Sequence, residues 1–98
     1  DVISLYKHIY LLSWQSLNNK SKRLLLGMIQ VSDNGITFDN MVKHSGLNEI
    51  ETTKSLQSLF NRSLLEWRGG LEDRRYGIHQ LTHTFLENDI LNDADFRI

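Results

Sequence analysis

The chain has 98 residues, 40% of them hydrophobic and 23% charged, with a formal net charge of −1 and neither cysteine nor proline. That length supports one domain able to bury roughly two thirds of its unfolded surface, and the composition excludes disordered, fibrous and disulfide-stapled classes and thiolate metal sites. The missing basic excess argues against nucleic acid as a partner, because phosphate neutralisation supplies most of the affinity of a DNA-binding domain.

Val2, Leu5, Tyr6, Ile9, Leu12 and Leu17 recur at helical spacing and predict an amphipathic helix over 2–16. Asn18 or Asn19 then caps a second helix that runs through Arg23, Leu24, Leu25 and Ile29 to about Val31. Asp33-Asn34-Gly35 stops it, since Asn and Gly tolerate the left-handed conformation. Ile36-Thr37-Phe38 is short and β-prone. Thr37 is placed to cap a short helix ending near Ser45, with Phe38, Met41 and Val42 on its apolar face and Gly46 at its C-terminus. Asn48 with Glu51 three residues on has the spacing of a capping box. The helix it opens, over 49–62, is expected to turn Ile50, Leu56, Leu59 and Phe60 inward and Glu51, Thr52, Lys54, Ser55, Ser58 and Asn61 outward. A short helix, a glycine turn and a longer capped helix have helix-turn-helix spacing.

The period then changes. Residues 64–68 and 74–79 read as two strands joined by Gly69-Gly70-Leu71-Glu72-Asp73. An isolated hairpin is marginal in water, so this one must pack on the helices as a wing. Leu81, Phe85, Leu86 and Ile90 predict a last helix over 80–91, followed by a loose tail over 92–98. The expected fold is mainly α with a small β-hairpin, a winged helix-turn-helix with an extra N-terminal helix. No apolar run approaches the ~20 residues of a membrane span and no secretory signal is visible. A cytoplasmic protein with no membrane partner is expected, and a start at Asp1 rather than Met fits a domain excised from a longer chain.

Chemistry-bearing patterns are sparse. No nucleophile elbow, glycine-rich phosphate loop or cysteine nucleophile is present, so no enzyme activity is expected of this chain alone. Lys54 and Ser58 on the longer helix, with Arg68, Arg74 and Arg75 on the hairpin, are the candidate DNA or partner contacts. Glu49 and Glu51 at the start of that helix would repel phosphate, and charged hairpin edges also serve against sheet-to-sheet aggregation. His79, His83 and Glu87 share a four-residue spacing that a single helix would align, but they lack a His-Glu-x-x-His pattern, so no metal site is assigned. His79 stands where the second strand gives way to the last helix. There a ring N–H can donate to a phosphate oxygen beside a helix N-terminus; the alternative is a partly buried histidine bonded to a backbone carbonyl.

Three ordered segments, Ser21-Lys22-Arg23-Leu24-Leu25-Leu26, Arg62-Ser63-Leu64-Leu65-Glu66 and Arg75-Tyr76-Gly77-Ile78-His79-Gln80-Leu81, resemble the winged-helix domain of STAND signal-transduction ATPases of the NB-ARC type. These include bacterial regulators, plant disease-resistance proteins and animal apoptosome scaffolds. The resemblance covers about 13–91. It implies a regulatory module that senses ADP on a neighbouring nucleotide-binding domain of the same chain and holds the inactive state. The family closes its wing with Met-His-Asp, whose histidine reaches the β-phosphate of ADP; here the positions are Ile78, His79 and Gln80. Only the histidine is kept, so the nucleotide-sensing role carries over to His79 alone, and Gln80 puts the aspartate's contacts in doubt. On this reading residues 1–17 link from a preceding domain and 18–91 form the winged helix. ADP or ATP enters through the longer protein, which can itself oligomerise, and the isolated domain holds no cofactor. The rival expectations are a DNA-binding winged helix of a transcriptional regulator and a winged-helix protein-interaction module using exposed residues such as Leu71.

Overall fold

The helices begin where short polar side chains can satisfy their free amide groups. In a computed structural model, which describes residues 2–92 apart from the side chain of Ile3, helix α1 spans Val2–Gln15. The extended residue Asn18 then accepts from the Ser21 N–H at 2.9 Å and opens α2, Asn19–Gly27. Thr37 accepts from the Asn40 N–H to open α3, Phe38–Ser45, and left-handed Gly46 (φ +76°) ends it. Asn48 and Glu51 form the complete capping box of α4, Glu49–Asn61, each side chain accepting from the other's backbone N–H. Each cap stabilises its helix by about 1 kcal/mol.

Strand β1 (Glu66–Arg68) pairs antiparallel with β2 (Arg75–Gly77), with Glu66 opposite Gly77, Trp67 opposite Tyr76 and Arg68 opposite Arg75. The strands are shorter than expected because Leu64 and Leu65 turn into the core instead. Ile36 adds a bridge on the far side of β2, exchanging both backbone hydrogen bonds with Tyr76 at 2.8 and 2.9 Å. Helix α5 follows at Gln80–Phe85, and Leu86–Leu91 continues it as π-helix. The expected single α-helix over 80–91 is therefore of two kinds, and the wider turn keeps Phe85, Leu86 and Ile90 buried together. Residues 93–98 of the expected loose tail lie outside the described residues.

One core joins these elements. It is built from Trp14 near the end of α1 and Leu17 just beyond it, Leu24 and Leu25 of α2, Met28 of the 3₁₀ turn, Met41 of α3, Leu56 and Leu59 of α4, Leu64, Leu65, Phe85, Leu86 and Ile90. The described residues are mainly helical with one two-stranded sheet.

Three expectations are corrected. Helix α2 stops at Gly27 and gives way to a 3₁₀ turn, Met28–Gln30, before Val31 becomes extended; glycine is a poor helix former, and the tighter turn buries Met28. Helix α4 buries Thr52, Ser55, Leu56 and Leu59, an i, i+3, i+4, i+7 stripe, so Thr52 and Ser55 face inward. Two residues turn a helix by about 200°, which leaves Ile50 on the opposite side, 68% exposed rather than buried. Finally, α1 meets the body through Tyr10, Trp14 and Leu17, while the face expected to be inward, Val2, Leu5, Ile9 and Leu12, stays exposed.

Candidate functional site

The junction between β2 and α5 is set by backbone needs. His79 is extended (φ −67°, ψ 152°) and caps α5, with its Nδ1 accepting from the Leu81 N–H at 3.0 Å and its carbonyl accepting from the His83 N–H at 3.0 Å. A neutral imidazole has one donor and one acceptor nitrogen. With Nδ1 accepting, the proton sits on Nε2, and the exposed ring offers that N–H to whatever approaches. The alternative of a partly buried histidine donating to a carbonyl is not what the geometry gives: His79 is exposed and its ring accepts from an amide. Gln80 beside it is exposed, its side-chain amide 3.5 Å from Thr84 Oγ1.

His83 has a different occupation. Its Nε2 lies 3.3 Å from the Ile29 carbonyl and its Nδ1 2.6 Å from Glu87 Oε1, outside hydrogen-bond geometry. It ties α5 to the 3₁₀ turn and does not join His79. Among the described residues no three metal-ligating side chains converge.

The structure brings Arg68, Arg74 and Arg75 onto one hairpin and leaves Lys54 and Ser58 on α4, but it employs most of them internally. Arg68 donates from Nε to the Asp33 carbonyl (3.3 Å), from one terminal nitrogen to Glu66 (2.5 Å) and from the other to the Ile78 carbonyl (2.8 Å). It lies over Gly77, where a Cβ would come within 2.8 Å of the guanidinium carbon. Arg68 therefore pins the hairpin to the loop after the 3₁₀ turn. Arg75 pairs with Asp73 at 3.2 Å. Arg74 rests over the Trp67 ring at 4.7 Å, and Trp67 stacks in turn on Phe60 (4.7 Å) and tilts against Tyr76 (5.0 Å). Burial pushes the Tyr76 phenol above its ordinary pKa, and the charge of Arg74 opposes that rise. Ser58 accepts from Arg62, which also reaches Ser16 after α1. Of the five candidates, only Lys54 and Arg74 are exposed.

The outward face of α4 carries Glu49, Ile50, Thr53, Lys54, Gln57 and Asn61. Glu51 is turned aside: it pairs with Lys20 on α2, and that hydrogen bond, joined by the one from the Asn48 N–H, holds its carboxyl below the ordinary value. Thr53 and Gln57 were missed as surface candidates because Ile50 was counted on the inward face with Leu56, Leu59 and Phe60, although it lies across the helix from the two leucines. Taking the phase from Leu56 and Leu59, which puts Thr52 inward between them, would have found all three.

In comparison with known proteins, no family model matches this chain, and no curated protein or solved structure is similar to it. The functional reading therefore rests on the residues themselves. No helix among the described residues is long and apolar enough to cross a membrane.

Proposed function

We propose that this chain is a regulatory winged-helix module of the STAND ATPase type, which senses ADP on a neighbouring nucleotide-binding domain through His79 and holds the inactive state. The observation that supports it is the capping contact at 3.0 Å, which leaves the exposed Nε2–H of His79 as a donor. An acceptor oxygen on an approaching surface, such as a nucleotide phosphate, completes that contact. His79 is exposed at the surface, where a ligand carried on another surface can reach it. The module is non-catalytic and cytoplasmic on this reading. It works by differential contact: the state that offers a β-phosphate to His79 is favoured, and exchange for ATP releases the domain.

The test is ADP retention by the longer protein that carries this chain beside its nucleotide-binding domain. His79→Ala and His79→Asn are compared with the unchanged protein, since Asn keeps a helix cap but not the imidazole donor. A loss of about tenfold in ADP affinity for both variants, worth roughly one charge-assisted hydrogen bond, is expected. Equal retention in all three would sink the latch.

A second reading, DNA recognition through α4, is favoured by one observation. Glu51 is neutralised by Lys20, and the outward face offers Thr53, Lys54, Gln57 and Asn61. Duplex binding whose affinity falls steeply with salt, and more gently in Lys54→Ala, would establish it in place of the first.

A further inference from the structure

Helix α1 has two apolar faces, and the fold uses one. Tyr10, Trp14 and Leu17 pack on the body, where Lys7 also reaches Asp89 at 3.7 Å. About a third of a turn away, Val2, Leu5, Ile9 and Leu12 form a second stripe, exposed by 67, 59, 51 and 54%. Their spacing is three, four and three residues, the alternation of a coiled-coil seam. The residue types are ordered as well. The β-branched Val2 and Ile9 take one seam position and Leu5 and Leu12 the other, the combination that favours two parallel strands. Beside the seam, half-exposed Tyr6 and Leu81 border a shallow cavity of about 110 Å³ that extends the apolar surface onto α5.

We propose that this face is the interface of a parallel homodimer, in which α1 of one copy packs along α1 of another. A single helix stripe is self-complementary across a two-fold axis, so no second surface is required. The available area suits a weak dimer. Six side chains about half exposed present roughly 500 Å² per copy, or about 1,000 Å² in the pair, at the lower limit for a specific interface. The charge pattern favours a second copy over a lipid surface. Lys7 is the only lysine or arginine in α1, and it is engaged with Asp89, whereas interfacial membrane helices are rich in basic residues.

Sedimentation equilibrium of the 98-residue chain, from about 5 µM to about 1 mM, brackets the affinity expected of so small an interface. A reversible dimer is expected, weakened about tenfold or more in Leu5→Lys/Ile9→Lys. Both positions are exposed, so that variant keeps its circular dichroism spectrum and its unfolding midpoint at low concentration. Direction is read by cross-linking, because the chain has no cysteine of its own. Leu12→Cys should form a disulfide dimer by itself if the helices are parallel. A disulfide formed only in a mixture of Val2→Cys and Leu12→Cys means antiparallel helices and overturns the arrangement. A chain monomeric throughout the range, a dimer indifferent to the seam variant, or a monomer that instead pellets with phosphatidylcholine vesicles would each overturn the proposal.

Discussion

At the scale of single residues, much of the hairpin's placement depends on Arg68 and the space that Gly77 leaves for it. Three protein acceptors receive the guanidinium, two of them backbone carbonyls on other segments. Arg68→Ala should cost about 1.5–3 kcal/mol in urea unfolding, the range for hydrogen bonds made by a charged group. Gly77→Ala should cost about 1–2 kcal/mol by pushing the guanidinium off its seat. Both variants break the same contact, so the double variant should lose at least about 0.5 kcal/mol less than the sum of the two; strict additivity would refute the coupling. Thr52 offers the opposite case. Its hydroxyl is fully buried and has no hydrogen-bond partner among the described residues. Thr52→Val removes that orphan at nearly constant volume, and the urea midpoint should hold or rise, by up to about 1 kcal/mol of stability.

At the scale of elements, the capping box and its ion pair make α4 sensitive to pH in a stated direction. The pKa of Glu51 is lowered in the folded chain by Lys20 first and by the Asn48 N–H second. The stabilisation is therefore fully present above the ordinary value near 4.5 and is lost as pH falls through the depressed one. Glu51→Gln keeps an acceptor for the Asn48 N–H but not the charge. It should be less stable than the unchanged chain at neutral pH, and the gap should close in acid; a constant gap would contradict the pairing. The caps at Asn18, Thr37 and Asn48, the stop at Gly46 and the hairpin were legible in the sequence because each is a contact among neighbours in the chain. The faces of α1 and α4 were not. Which stripe of a helix turns inward is decided by its partner; α4 packs against α2, and the small residues Thr52 and Ser55 are buried on its inward stripe. In α4 the leucines Leu56 and Leu59 turn inward as expected, whereas Ile50, counted with them, faces out and the polar Thr52 and Ser55 take the inward places. The position of His79 at the strand-to-helix junction was legible; its capping contact, which fixes the proton on Nε2, was not.

At the scale of the whole molecule, the core is concentrated around α2, α4 and the last helix, and α1 joins it chiefly through its final residues. Local opening is easiest where buried apolar contacts are fewest. In a dilute sample, amide hydrogens over 5–9 should exchange well before those of α4 around Leu56 and Leu59. Equal protection of the two helices would mean that α1 is held as firmly as the core.

The two tryptophans lie on opposite sides of that difference. Trp14 anchors α1 and is 5% exposed, whereas Trp67 is 50% exposed on the hairpin beneath Arg74. The chain thus carries two intrinsic fluorophores in unlike surroundings, one on α1 and one on the hairpin. In Trp67→Phe the remaining emission belongs to Trp14 alone, and a red shift that precedes loss of the far-ultraviolet signal would time the undocking of α1. In Trp14→Phe the emission of Trp67 would report instead on any surface that comes to rest against the hairpin.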